Sequence, residues 1–223
     1  AYNEEKTIGA TIQAVLENGY PLDKLEIIVV NDGSTDGTVE IVKKYKGVTL
    51  FDKSNSGKAD SVNKAIKKSK HEFVANVDAD SYLKKNALKE IMKYFVDEGV
   101  GAVTGICLVK NRNTLLEKCQ AMEYVLIAWT RKSLDALHAV FVTPGSLSAY
   151  RKKALKDIGV GFDKNIMTED MEIAWNLLRY KWKIRMATRA IVFTSVPSKV
   201  KSWYHQRIRW NVGGFQTLVK HWS

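Results

Sequence analysis

The feature that most constrains the fold is an alternation of strand-like and helix-like segments through the first half of the chain. The run LEIIVVND (25–32) is almost continuously apolar, as expected for a strand buried on both faces of a parallel sheet. Helical spacing of apolar residues, as in Ile8, Ile12, Val15 and Leu16, marks the segments beside such runs. This alternation predicts an α/β fold with a mainly parallel sheet and helices on both faces. The expected strands are 25–32, 48–52, 72–78 and 100–109, with helices at 38–45, 57–69 and 85–99.

The second half contains longer helices and shorter strands. The chain has 223 residues, 45% of them hydrophobic, which is enough for one large domain with a sizeable core. No apolar run approaches the roughly 18 residues of a membrane span. The chain opens at AYNEE without a Met, and we expect it to be a fragment of a longer protein. The expected elements are helices at 115–137 and 169–182, strands near 139–150, 183–188 and 190–195, and a helix from Lys199.

Charge is distributed unevenly along the chain. The formal net charge is +11, and the last part, from Lys181 onward, contains nine Lys and Arg residues and no Asp or Glu. Such a block favours anionic partners: phosphates, nucleic acid or an anionic membrane leaflet; otherwise it is a solvated surface. Cys107 and Cys119 are the only cysteines, too few for a disulfide framework, and a reducing compartment fits them.

Three aspartates are expected at one edge of the sheet. Asp32 ends one predicted strand, and Asp78 and Asp80 end another in the stretch NVDADSYL. Ligands of open parallel sheets bind outside the carboxyl ends of the strands. Neighbouring carboxylates repel each other, and Mg²⁺ or Mn²⁺ together with a diphosphate would relieve that repulsion. The alternative is that Asp78 or Asp80 caps the next helix.

Three further stretches carry candidate site residues. MTEDMEIAW places Glu169 and Asp170 at a helix start, where Asp170 is either a general base or an ordinary capping residue. SNSGKADSVN offers Lys58 after a glycine, for phosphates or for solvent. HQRIRW places an amide, a guanidinium and an indole on one helix face, able to hold a sugar and a phosphate. The alternative is a core Trp with an Arg stacked on it. These three residues are Gln206, Arg209 and Trp210.

The motifs AYNEE, VVNDGSTDGT, NSGKADSVN, VDAD, TED and QRIRW occur in the order found in family 2 glycosyltransferases. The set resembles the membrane-embedded branch of that family: cellulose, hyaluronan and poly-N-acetylglucosamine synthases. The resemblance spans nearly the whole chain. It implies a GT-A fold, a Rossmann-like sheet with helices on both faces, and inverting transfer from a UDP-sugar to a growing polysaccharide or glycan.

The resemblance also implies a role for each matched residue. Asp170 would be the catalytic base, and Asp80, with Asp78, would bind Mg²⁺ or Mn²⁺. The acceptor and diphosphate would contact residues from three segments. The nucleotide site would contain Asn3, Glu5, Asp32, Lys58 and Asp78. The acceptor and diphosphate residues would be Gly145, Ser146, Glu169, Gln206, Arg209 and Trp210.

The resemblance divides the single domain (1–223) into three parts. Residues 1–110 would bind the nucleotide sugar, 111–198 would hold the acceptor and the base, and 199–223 would form the Q-x-x-R-W and interface helix. The sequence departs from the family pattern in that the strand expected before AYNEE and the transmembrane helices that such synthases carry on either side are not in it. Phe215, Leu218, Val219 and Trp222 form an apolar stripe suited to a membrane or to those helices. We therefore expect a membrane protein with its catalytic domain on the cytoplasmic face.

Rival functions remain at this point. One is single-sugar transfer to a lipid, as in ceramide glucosyltransferases or the polyprenyl-phosphate enzymes, the latter generally without Q-x-x-R-W. Another is a non-catalytic module that binds nucleotide sugars. Nucleic-acid binding is disfavoured, because no stacking-strand RNA motif or zinc finger is present and the acids would repel phosphates.

Overall fold

A computed structural model of the protein describes residues 1–159 and 161–222. Strands and helices alternate through the first half, as the sequence predicts, and two long helices of 22 residues follow. The strands are β1 (Ile27–Asp32), β2 (Val48–Lys53), β3 (Phe73–Asn76), β4 (Ser81–Leu83), β5 (Val100–Val109), β6 (Ser148–Arg151) and β7 (Lys183–Thr194). The helices are α1 (Ile8–Leu16), α2 (Thr38–Lys43), α3 (Lys58–Lys68), α4 (Ala87–Met92), α5 (Leu115–Ala136), α6 (Lys152–Asp157), α7 (Glu169–Arg179) and α8 (Val200–His221).

The strands form two sheets, and the larger one has mixed pairing. β1 and β2 pair in parallel, and the larger sheet has the order β3-β6-β5-β7-β4, in which only β5 and β7 are parallel. The α/β prediction is confirmed, but the pairing is not mainly parallel. Strict alternation is first broken where β4 follows β3 without a helix, and the short strands β4 and β6 join their neighbours in the antiparallel sense, which needs no helical crossover.

Several element boundaries differ from the sequence predictions. The strand expected at 72–78 ends at Asn76, so Asp78 and Asp80 lie in the turn between β3 and β4. The two strands expected at 183–188 and 190–195 are one strand, β7. Its register against β5 shifts between Thr104 and Ile106, which explains the break in the apolar pattern.

Three apolar clusters hold the elements together. The first packs α3, α6 and α7 against β5, β6 and β7 through residues such as Tyr150, Leu177 and Ile184. The second packs α4 and the 3₁₀ turn that follows it (Lys93–Val96) against the other face of the large sheet. The third joins α1 and α2 to the small sheet through Ile8, Ile12 and Val42. Helices therefore cover both faces, and the carboxyl ends of β1 and β3 remain open.

A cavity of about 960 Å³ lies between β1 and β3, with mainly apolar walls from both strands, α1 and α3. Ala1 lines it and pairs with β1: its N–H donates to the Val30 carbonyl (2.7 Å), and the Asp32 N–H donates to the Ala1 carbonyl (2.8 Å). At its polar end the cavity reaches the three predicted aspartates. None of the helices within the described residues combines the length and the apolar character needed to cross a membrane.

Candidate active site

Asp32, the last residue of β1, accepts hydrogen bonds from a tight turn. Its carboxylate oxygens accept from the backbone N–H groups of Ser56 (2.9 Å) and Gly57 (3.0 Å), and Lys53 forms an ion pair with it. Burial raises the pKa of Asp32, but these donors outweigh burial and hold the pKa below its usual value. Sequence reasoning missed Lys53, whose place opposite Asp32 follows only from the parallel register of β1 and β2.

Lys58, the first residue of α3, connects Asp78 with the start of α7. Its Nζ lies 2.7 Å from Asp78 Oδ1 and 3.4 Å from Glu169 Oε1. Burial lowers the pKa of Lys58, but the two carboxylates raise it further, so the side chain stays charged. Gly145 backs this group, since a Cβ there would lie 2.5 Å from Lys58 Nζ and 2.7 Å from Asp78 Oδ1. Four separately predicted residues thus meet at one point.

Asp80 lies two residues after Asp78, in the turn that leads to β4. Its Oδ1 accepts a hydrogen bond from Ser81 Oγ (3.3 Å), and it forms no ion pair with any described residue. Burial, and then repulsion by Asp78 and Glu4, raise the pKa of Asp80. A carboxylate pair of this kind suits a hard divalent cation such as Mg²⁺ or Mn²⁺.

The carboxylate pair would not hold such a cation alone. Among residues 1–159 and 161–222, no group of three or more His, Cys, Asp or Glu side chains is placed to bind a metal. Mg²⁺ is often bound through one or two carboxylates plus substrate phosphates. The residues therefore fit a cation that arrives with, or is completed by, a phosphorylated substrate.

Asp170 lies in the first turn of α7. Its Oδ1 accepts from the backbone N–H of Met171 (2.9 Å), and its carbonyl accepts from Thr143 Oγ1 (2.8 Å). Burial, followed by repulsion from Glu169, raises the pKa of Asp170 to about 6, although Lys58 opposes the rise. An acid with this pKa is ionised at pH 7 and can still accept a proton, which suits a general base.

The α8 residues Gln206, Arg209 and Trp210 share one helix face, as predicted. Arg209 is exposed and lines the cavity between β1 and β3. Trp210 is half-buried and belongs to none of the three apolar clusters, so it is not a core residue. The Arg stacked on its ring is Arg207, at 4.1 Å from the ring centre, rather than Arg209. The predicted site residues that line this cavity together are Asp32, Lys58, Asp78, Asp80 and Arg209.

Asn3 and Glu5 bind the turn between β1 and α2. Asn3 Oδ1 accepts from the Thr35 N–H (2.8 Å), and Glu5 Oε2 accepts from the Gly37 N–H (2.9 Å). Both side chains are exposed and do not line the cavity between β1 and β3. Glu4, which lies between them in the sequence, lines it instead. Their contribution to a nucleotide site stays a prediction, and their visible role is to shape the turn beside Asp32.

Ser146 is buried next to Gly145 and lies close to the thiol of Cys107. Burial raises the pKa of Cys107 to about 11, so the thiol is neutral at pH 7. The contact of Ser146 with an acceptor stays a prediction.

Sequence reasoning missed the inner stripe of α5. Tyr124, Ala128, Arg131 and Asp135 are spaced for one helix face, and Ala128 and Asp135 are buried. Burial lowers the pKa of Arg131, with Cys107 and then Asp170 acting in the opposite direction. The helical spacing was available in the sequence, but only the packing of α5 against β5 shows that this face turns toward the site.

The chain is similar to known proteins in family, sequence and fold. The model of "Glycosyl transferase family 2" matches residues 1–159. The poly-beta-1,6-N-acetyl-D-glucosamine synthase of Staphylococcus epidermidis is 34% identical over 229 residues, covering 100% of this chain and 55% of its own length. The synthase of the same name from Staphylococcus aureus strain COL is 33% identical over 98% of this chain and 54% of its own. The chain thus spans about half the length of these relatives.

Solved structures of similar fold include a mannosyltransferase and a protein in complex with UDP. The mannosyltransferase PcManGT from Pyrobaculum calidifontis, in complex with GDP-Man and Mn²⁺, superposes with a TM-score of 0.81 at 25% identity, over 99% of this chain and 61% of that one. S. aureus TarS in complex with UDP superposes with a TM-score of 0.67 at 21% identity, over 96% and 63%. These neighbours confirm the GT-A fold, and together with the family match they show that this chain belongs to glycosyltransferase family 2.

Proposed function

We propose that this chain is the catalytic domain of an inverting glycosyltransferase that moves a sugar from a UDP-sugar to a growing polysaccharide or glycan acceptor. The observation that carries the proposal is the position of Lys58, which contacts both Asp78 and Glu169 and so joins the donor-side acids to the helix of Asp170. Donor phosphates and a base would then act within one cleft. Residues 1–110 would form the donor half and 111–198 the acceptor half, followed by α8.

The reaction follows from the groups in this cleft. Asp170 would take the proton of an acceptor hydroxyl while that oxygen forms a bond to the anomeric carbon. The bond from the anomeric carbon to the diphosphate oxygen would break, and its electron pair would leave with the nucleoside diphosphate. A single displacement of this kind inverts the anomeric configuration.

The leaving group would need positive charge around it. Lys58 is charged, and Arg209 offers a guanidinium on the same cavity wall. Asp80 and Asp78 would hold Mg²⁺ or Mn²⁺, which supplies Lewis-acid stabilisation of the diphosphate when bound. The Mn²⁺ present with GDP-Man in PcManGT supports this choice of cofactor.

A donor screen tests the proposal. The full-length protein in membranes would be given UDP- and GDP-sugars with Mg²⁺ or Mn²⁺, and the released nucleoside diphosphate would be measured. We expect turnover with a UDP-sugar, because UDP and UDP-GlcNAc are the ligands of TarS and the similar synthases build an N-acetylglucosamine polymer. Turnover with GDP-mannose alone would move the donor assignment toward PcManGT. If no nucleoside diphosphate were released from any donor, the alternative of a non-catalytic binding module would be supported.

Product size separates polymer synthesis from single transfer. The 34% identity to poly-beta-1,6-N-acetyl-D-glucosamine synthase supports a glycan acceptor. A lipid carrying one sugar, found by mass spectrometry of the membrane extract, would instead support the lipid-acceptor alternative.

The α8 face should act on the diphosphate and the acceptor together. We expect Arg209→Lys to lower the transfer rate about tenfold, because Lys keeps the charge but loses the bidentate fork. Trp210→Ala should weaken acceptor use more than nucleotide binding, because its ring would contact a sugar. Steady-state rates with varied acceptor, beside nucleotide binding by calorimetry, measure both effects.

Thermal unfolding is the control for these two variants. Loss of a core Trp costs about 3–5 kcal/mol, whereas Trp210 is half-buried and covered by Arg207. We expect the melting temperature of both variants to stay close to that of the parent. A Trp210→Ala protein that unfolds early but uses acceptor normally when folded would contradict the assignment.

We also propose that α8 lies on the cytoplasmic face of the cell membrane. Phe215 and Trp222 are 66% and 82% exposed, and Arg209 and Lys220 lie near them in the sequence. Anionic lipids attract such basic segments, and apolar side chains insert beside them. We expect the protein to float with vesicles containing anionic lipid and to bind neutral vesicles less, with weaker binding at high salt.

A variant with Phe215→Ser and Trp222→Ser provides the matched control for flotation. It keeps every basic residue, so it should retain the salt-sensitive part of binding and lose the rest. Absence of flotation with both vesicle types would mean that the stripe packs against protein.

A further inference from the structure

Two adjacent glycines, Gly213 and Gly214, lie in the interior of α8, one turn after the Gln206–Trp210 face. Glycine weakens a helix interior, because it exposes the backbone and loses more conformational freedom than alanine. A pair of glycines in this place therefore requires a reason in the packing. Neither has a positive φ, so the reason is not backbone conformation.

The two glycines have different surroundings. A Cβ at Gly213 would lie 2.6 Å from both Thr168 Cγ2 and Thr168 Oγ1, and 2.8 Å from the Thr168 backbone nitrogen. At Gly214 the nearest atom would be Met171 Sδ at 3.8 Å, an ordinary contact. Gly213 is buried and Gly214 half-buried. Only Gly213 is thus required for the close approach of α8 to the residue before α7.

Thr168 begins the segment that carries Asp170. Its carbonyl accepts from the N–H groups of Met171 (3.1 Å) and Glu172 (3.1 Å), which are the first hydrogen bonds of α7. A second contact from α8 lies beside it, where Gln216 Oε1 accepts from the Met167 N–H (3.1 Å). A shift of Thr168 would therefore move the first turn of α7.

The geometry points to Gly213 as a positioning residue that sets the distance between Arg209 on α8 and Asp170 on α7. One turn of α8 carries Arg209, which would contact the diphosphate and acceptor, and the next turn contacts Thr168, the N-cap of α7. Gly213 therefore fixes Arg209 and Asp170 relative to each other. The inference rests on the proposed function, and it assigns to Gly213 a role in transfer and not in nucleotide binding.

Gly213→Ala and Gly214→Ala form a matched pair that tests this role. Displacement of a catalytic group by about 1 Å can cost about 100-fold in rate. We expect Gly213→Ala to lower kcat by about 10- to 100-fold with donor KM and nucleotide affinity within about twofold. Gly214→Ala should keep the parent kcat. Rates would be measured on the full-length protein at a temperature where each variant is folded by circular dichroism.

Combination with Thr168→Ala identifies the contact. Removing Cγ2 and Oγ1 of Thr168 should restore part of kcat in the Gly213→Ala background, and the melting temperatures of the four proteins should show the same coupling. A merely structural Gly213 would lower the melting temperature but leave kcat of the folded protein unchanged, which would overturn the inference. Equal kcat losses at both glycines would also overturn it.

The proposed function and this inference can fail separately. An inactive parent protein in the donor screen would refute the former. The Gly213–Thr168 contact would then still be measured by the coupling in melting temperature, and absence of that coupling refutes the packing on which the inference depends.

Discussion

Replacing Asp170 by Asn should lower the rate of sugar transfer by about 100-fold or more and leave nucleotide affinity nearly unchanged. Asn has almost the same shape but cannot accept the proton of the acceptor hydroxyl. Asp170 lies at the start of α7, with Glu169 between it and Lys58, and is not itself paired with Lys58. Single-turnover rates with saturating donor, beside calorimetric titration with the nucleoside diphosphate, measure the two effects.

The pH profile gives a second reading of the same residue. The pKa of Asp170 is raised to about 6, so the base is protonated below that pH and ionised above it. Transfer should therefore rise with pH through about 6 and level off above 7. Asp170→Asn should remove this rise from its residual activity.

The melting temperature of Asp170→Asn distinguishes a loss of catalysis from a loss of folding. A carboxyl group whose pKa is higher in the folded than in the unfolded state stabilises the fold in its protonated form, and that contribution is lost as pH rises through the folded pKa. At pH 7 the ionised Asp170 thus opposes folding, and Asn should leave the melting temperature equal or higher. Activity within about threefold of the parent would place the base elsewhere.

The acids of the site were predictable because they follow strand ends. The sequence placed Asp32 and Asp78 at one edge on the assumption that their strands belong to one parallel sheet. The structure separates β1 and β3 by a cavity, yet both residues line it. Local periodicity therefore located the edge without giving the correct pairing.

Contacts between distant segments were not predictable in the same way. Lys58 contacts Glu169 across more than a hundred residues of chain, and no local pattern specifies which acid a lysine meets. Arg207 covers Trp210 and also pairs with Glu123 of α5, and no local pattern specifies either contact. The packing of long helices determines which distant residues come into contact.

Removal of divalent cations should reduce transfer by about 100-fold or more, and Asp80→Asn should do the same in the presence of Mn²⁺. Metal stabilisation of a leaving diphosphate is worth several kcal/mol, and each 1.36 kcal/mol is about tenfold in rate. Burial, and then repulsion by Asp78 and Glu4, raise the pKa of Asp80, and a divalent cation bound beside it would favour the ionised carboxylate. Transfer rates would be measured after EDTA treatment and after stepwise addition of Mg²⁺ or Mn²⁺.

A binding measurement and a remote control complete the metal experiment. Titration of the UDP-sugar with and without EDTA should show weaker binding without metal, and Asp80→Asn should bind weakly in both. Asp97→Asn is the matched control, because Asp97 precedes β5 at the far end of the sheet and pairs with Lys183 (2.9 Å). It should keep the activity and the metal response of the parent. Equal donor affinity with and without EDTA, together with an unchanged Asp80→Asn protein, would show that Lys58 and Arg209 neutralise the diphosphate without a metal.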